Sequence, residues 1–116
     1  MCKAGRVSIG ILGGTGPAGS ALAARLASIG YPAVIGSRSK YRAMEARDRL
    51  VDKFPQLTEL LTYGDNHAAA QCDLVVIATP WDGAATTAQE HEEDLRGKIV
   101  ISMANALVKV GHEFQP

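Results

Sequence analysis

The feature that most limits what this chain can become is a short apolar run that breaks into glycines. It reads Val7-Ser-Ile-Gly-Ile-Leu12 and then Gly13-Gly14-Thr15-Gly16-Pro17-Ala18-Gly19. Gly14, Gly16 and Gly19 stand at G-x-G-x-x-G spacing, and an Ala/Leu-rich segment follows at once. That order predicts a first strand turning tightly into a first helix. At such a turn, unpaired N–H groups and the positive end of the helix dipole converge on one point. That point suits an anion, above all the pyrophosphate of a dinucleotide. By this spacing Gly14 permits the tight turn, Gly16 lets the backbone approach the phosphates, and Gly19 lets the helix pack closely on the strand. Pro17 suits the first helical position, where its missing N–H costs nothing.

Strand and helix patterns alternate along the rest of the chain. The expected elements are a strand over 7–12, a helix over 17–29 ended by Gly30, a strand over 33–35 and a helix from 40 or 41 to 53. Leu22, Leu26 and Ile29 are expected on one face of the first helix, with Ala21, Ala23, Ala24 and Ala27 allowing close packing. Arg42, Glu45, Arg47, Asp48 and Arg49 are expected on the outer face of the second. Pro55 punctuates the chain. A third strand is expected over 60–62, ended by Gly64-Asp65, with Asp65 or Asn66 capping a short helix through 70. A continuous, β-branched run over 74–78 reads as a strand buried on both faces. A helix over 83–95 and a strand over 99–102 follow, and 103–116 stays ambiguous. Alternation of this kind predicts an α/β fold: a Rossmann-like, doubly wound parallel sheet in three αβα layers, as a single domain.

Composition removes several functions. Twelve Lys and Arg balance twelve Asp and Glu, with no basic run, so no nucleic-acid partner is expected. No apolar stretch approaches the ~20 residues that span a bilayer, so no membrane partner is expected either. The two cysteines, Cys2 and Cys72, form neither a disulfide framework nor a metal motif. Cys72 reads as a small core residue. The expected compartment is the cytosol. His67, His91 and His112 are far apart in sequence and suggest no site, and Glu90-His91-Glu92-Glu93-Asp94 reads as a solvated helix face rather than a metal motif.

The end of the second strand decides which dinucleotide is favoured. An NAD site usually offers a carboxylate there for the ribose 2′-hydroxyl. This chain offers Ser37 and Arg38, followed by Lys40 and Arg42. A guanidinium attracts a 2′-phosphate and can bond it through two N–H groups, so NADP(H) is expected over NAD(H). Thr79, Pro80 and Trp81 lie at the carboxyl end of the fourth strand, the edge at which open α/β sheets bind ligands. Trp81 suits either a cofactor's flank or a packed loop corner. No nucleophilic triad is visible, which agrees with redox chemistry in which the nicotinamide carries the hydride.

These residues resemble a known family. Leu12-Gly13-Gly14-Thr15-Gly16, Ile35-Gly36-Ser37-Arg38, Ala78-Thr79-Pro80-Trp81 and Gly97-Lys98-Ile99-Val100-Ile101-Ser102 are, in that order, similar to the NADPH-dependent reductases of the deazaflavin coenzyme F-420. Gly-Ser-Arg-Ser-Lys over 36–40 and Met-Ala-Asn-Ala-Leu over 103–107 look most like actinobacterial members. The resemblance implies an NADP-binding fold serving hydride transfer between nicotinamide and deazaflavin. By motif position it implies Thr15, Gly16, Pro17 and Ala18 around the pyrophosphate. Ser37, Arg38 and Arg42 would hold the 2′-phosphate, and Trp81 and Ala85 would line the adenosine or ribose side. Pro17-Ala18 departs from the polar or larger residues also found there, a change that main-chain contacts should survive.

The family continues into a second, mostly helical domain that completes the deazaflavin site and the dimer, whereas this sequence stops at Pro116. The expectation is therefore an NADP-binding domain over 1–116, either a fragment or a module without its catalytic half. An exposed apolar face near Ile99 to Val110 would then invite self-association, including a homodimer. Two other readings stay open. One is the nucleotide half of a ferric or imine reductase, and the other is a non-catalytic NADP-binding module.

Overall fold

Five short apolar runs pair into one parallel sheet because each of the first four is followed by a helix long enough, or close enough, to carry the chain back. The computed structural model describes residues 7–79 and 81–103, with 81–85 described by backbone alone. The elements in order are β1 (Ile9–Leu12), α1 (Pro17–Ser28), β2 (Ala33–Ser37), α2 (Lys40–Lys53), a 3-10 turn (Pro55–Leu57), β3 (Leu61–Asp65), α3 (Asn66–Ala69), β4 (Leu74–Ile77), α4 (Trp81–Glu90), α5 (Glu92–Leu95) and β5 (Ile99–Ser102). The strands lie in the order β3-β2-β1-β4-β5. Every pairing is parallel. This is the Rossmann-like doubly wound sheet.

Side chains alternate across the strands and build a core on each face. Ile9, Ile11, Ile35 and Val76 join Ala23 and Ala27 of α1 and Ala43 and Ala46 of α2. Leu12, Val75 and Ile77 join Ala69 and Ala70, with Ala88 of α4 and Leu95 of α5 against them. Helices thus cover both faces, giving three layers. Ser8 and Asp73 tie the starts of β1 and β4 together. Asp73 Oδ2 accepts from the Ser8 N–H at 3.1 Å and from its hydroxyl at 3.3 Å, while the Asp73 N–H donates to Ser8 Oγ at 3.2 Å.

The elements differ from the sequence reading in instructive ways. In α1 the buried residues are Gly19, Ala23 and Ala27, whereas Leu22 and Leu26 are only partly covered and Ile29 is 53% exposed. Small residues face the sheet because α1 lies too close for leucine. Arg47 of α2 turns inward rather than out: its Nε donates to the Leu61 carbonyl at 2.8 Å and its Nη2 to that of Thr58 at 3.0 Å. β2 runs two residues further, through Ser37, and β3 runs through Gly64 and Asp65 rather than stopping before them. The helix after β4 begins at Trp81 and breaks at His91 into α4 and α5.

Gly64 stays inside β3 because α3 presses on it. A Cβ on Gly64 would sit 2.9 Å from Ala68 Cβ, and one on Gly36 would sit 2.7 Å from Ala69 Cβ. One on Gly10 would run into the Ala69 carbonyl. Three neighbouring strands thus form a glycine trough in which a four-residue helix rests.

Candidate functional site

The loop after β1 sits where strand order reverses. β1 lies between β2 and β4, so a ligand over its carboxyl end meets both halves of the sheet. The chain leaves β1 through Gly13, whose φ of 68° is left-handed. A Cβ there would also collide with the Thr79 methyl group. The sequence spacing assigns the turn to Gly14, but Gly13 makes it. Gly14 instead donates its N–H to the Gly36 carbonyl at 2.8 Å and lies where a Cβ would press on Ile11 at 3.0 Å.

Beyond the turn, Gly16 precedes α1 in extended conformation with no side-chain cap. Among the described residues a Cβ on Gly16 would meet nothing within 4 Å, so they leave the space above it open. Pro17 opens the helix, and Ala18 and Gly19 lie in its first turn, where N–H groups lack an intrahelical acceptor. A Cβ on Gly19 would come 2.8 Å from Gly14 Cα and 3.1 Å from Ala78 Cβ. Helix α1 therefore rests directly on the turn and on the end of β4. Thr15 stands half-buried beside them.

Thr79 borders the same turn. Its hydroxyl oxygen is buried and has no hydrogen-bond partner among the described residues. A buried, unpaired hydroxyl is costly. An anionic or hydroxyl-bearing ligand over the turn would satisfy it, and with the open N–H groups of α1 this donor set fits a dinucleotide phosphate. Pro80 lies outside the described residues, as do the side chains of Trp81 and Ala85, whose backbone belongs to α4.

The basic corner forms at the end of β2, on the same sheet edge. Ser37 is 7% exposed, and its Oγ accepts from the Ser39 N–H at 3.2 Å. Ser39 caps α2 by accepting from the Arg42 N–H at 3.3 Å. Ser37 thus orders the corner, while Arg38 and Arg42 extend from it into solvent. Arg38 Nη2 lies 3.7 Å from Glu90 Oε2, a weak exposed pair that a phosphate can displace. Asp65, paired in register with Ser37, turns its carboxylate to the Ala68 N–H at 2.8 Å and caps α3. That leaves the corner basic.

Two groupings escape a reading of the sequence. Asn66 is 5% exposed, and its Oδ1 accepts from the Gly13 N–H at 3.1 Å across 53 residues of chain. No local pattern announces that bond. The histidines, far apart in sequence, partly converge: His67 Nδ1 lies 3.0 Å and His91 Nδ1 3.3 Å from Asp94 Oδ2. Gln71 Nε2 donates to Asp94 Oδ1 at 3.0 Å. The hydrogen bond from His67 holds the Asp94 carboxyl below its ordinary value; burial opposes it, and His91 and Gln71 add to it. Asp94, expected on a solvated face, is instead the clasp between α3 and α5. His112 lies outside the described residues. Burial pushes the Cys72 thiol up, in keeping with a core residue.

Comparison with known proteins now bears on this geometry. The family model described as NADP oxidoreductase coenzyme F420-dependent matches residues 8–106. The chain belongs to this family. It is 35% identical over 100 residues to the F420-dependent NADP reductase of Methanocaldococcus jannaschii, covering 84% of this chain and 44% of that one. To the enzyme of that name from Methanothermobacter thermautotrophicus it is 30% identical over 103 residues, covering 87% and 44%. The chain thus spans less than half the length of these relatives. A solved F420-dependent NADP reductase candidate from Arthrobacter superposes with a TM-score of 0.67 at 27% identity, covering 84% of this chain and 44% of that one. An imine reductase from Myxococcus stipitatus superposes at 0.64 with 20% identity, covering 94% and 36%, a likeness of fold.

Proposed function

We propose that this chain is the nucleotide-binding half of an oxidoreductase that binds NADP(H) and serves hydride transfer between nicotinamide and the deazaflavin coenzyme F-420. The observation that carries the reading is the meeting, on one sheet edge, of the glycine turn, the Thr79 hydroxyl that finds no partner among the described residues, and the basic corner at Arg38. Gly14, Thr15, Gly16, Pro17, Ala18 and Gly19 would border the pyrophosphate, bonded through main-chain N–H groups. Thr79 would donate to it or to the neighbouring ribose. Arg38 and Arg42 would take the 2′-phosphate, with Ser37 holding the corner in shape. Trp81 and Ala85 carry the adenosine- or ribose-side role by family resemblance, and Pro80 belongs to the site by its place in the sequence after the fourth strand. When bound, the nicotinamide supplies or accepts the hydride; the residues of this chain bind and orient it. F-420, as the partner substrate, follows from the names of the relatives. An imine acceptor rests on fold alone.

The domain as a whole, the cytosol as its compartment and self-association through β5 complete the proposal. The test is to mix folded protein with NADPH and F-420 and follow the deazaflavin absorbance. Loss of that absorbance with oxidation of NADPH is expected. Tight NADP(H) binding without F-420 reduction would replace the enzyme reading by a binding module, and reduction of an imine or ferric complex alone would replace the acceptor.

A further inference from the structure

Asn66 stands outside the residues assigned above to the nucleotide, yet it holds the left-handed residue of the turn. Its side chain is almost wholly buried, and its Oδ1 accepts from the Gly13 N–H at 3.1 Å. The same oxygen would lie 3.0 Å from a Cβ on Gly36, so it fills space that β2 leaves open by carrying glycine. Asn66 cannot drift: it is the first residue of α3, whose N-terminus is capped by Asp65 and whose Ala68 and Ala69 rest in the glycine trough. The neighbouring amide of the turn is fixed separately, Gly14 N–H donating to the Gly36 carbonyl. Two consecutive amides are thus drawn toward β2 and α3. The backbone that follows, Thr15 to Gly19, is thereby set against the open space above α1.

We propose that Asn66 is a positioning residue for dinucleotide binding, acting through the Gly13 amide to fix the phosphate turn. This rests on the reading of that turn as the pyrophosphate site. A neutral acceptor suits this position, because a carboxylate would oppose an approaching phosphate. Unlike Arg38, Asn66 acts on the part of the ligand that NADP⁺ and NAD⁺ share. Its loss should therefore weaken both by the same factor.

The test compares wild type with Asn66→Ala and Asn66→Asp by calorimetric titration with NADP⁺ and NAD⁺, together with hydrogen exchange at the Gly13 amide. Asn66→Ala is expected to raise both dissociation constants about tenfold with their ratio unchanged, and to speed exchange at Gly13. Asn66→Asp keeps an acceptor of the same shape. It should restore protection at Gly13, while its buried charge, which salt screens little, keeps both nucleotides weakly bound. Wild-type affinity in a folded Asn66→Ala protein overturns the inference alone, as does a loss confined to NADP⁺. An Asn66→Asp protein whose Gly13 amide exchanges as fast as in Asn66→Ala also overturns it, for the acceptor would then not be what fixes the turn. A wild-type protein that binds neither nucleotide overturns the underlying reading and this inference with it.

Discussion

At the scale of single residues, groups that touch charge separate from groups that only make room. Arg38 is the first kind. Replacing it by alanine should weaken NADP⁺ by about 1.5–3 kcal/mol, the worth of a hydrogen bond to a charged group, and leave NAD⁺ nearly unchanged. Paired titrations read this directly. Gly10 is the second kind. A Cβ there would occupy the position of the Ala69 carbonyl, so Gly10→Ala must displace α3 and should cost at least the ~1–3 kcal/mol of an overpacked core. Thermal unfolding checks it. The chain reveals the charged residue more readily than the spacer. Arg38 follows a strand in a recognisable βαβ unit, whereas Gly10 and Asn66 matter through contacts made across the fold. Gly13 shows the same limit: the motif counts glycines, but the residue that turns lies one position before the count begins.

At the scale of elements, α3 and α5 are joined by the Asp94 clasp. Because His67 holds the Asp94 carboxyl below its ordinary 3.8, the folded state binds that proton less readily than the unfolded chain. The clasp therefore contributes stability above about pH 4 and loses it as pH falls through the folded value. Asp94→Asn should be less stable than wild type near neutrality, and the two curves should converge in acid. Denaturant midpoints measured across that range decide it. Core strands offer a second check. Leu61 is fully buried in β3, and Leu61→Ala should cost about 2–5 kcal/mol. Periodicity locates nearly every element, since the run at β4 and the Ala-rich α1 are locally unambiguous. It misplaces the end of β3, because glycine and aspartate ordinarily stop a strand. Here they continue it, since Gly64 makes space for α3 and Asp65 caps that helix. The inward turn of Arg47 is equally illegible, for its acceptors are backbone carbonyls fixed only by the folded chain.

At the scale of the whole molecule, β5 closes one side of the sheet with Ile99 at 67%, Val100 at 38% and Ile101 at 49% exposure. An apolar outer strand of this kind promotes association. Sedimentation should show concentration-dependent self-association, and Ile99→Lys should reduce it without changing nucleotide affinity. The sheet order and the basic corner bring the site together at the carboxyl edge of the sheet, where the turn after β1 and Thr79 meet. The most direct measurement of that convergence is calorimetric titration of the folded protein with NADP⁺ and NAD⁺ under identical salt. Both should bind, with NADP⁺ at least about tenfold the tighter, a difference of roughly 1.4 kcal/mol. Equal affinities, or no binding of either, would contradict the joint grip of glycine turn and basic corner on one dinucleotide.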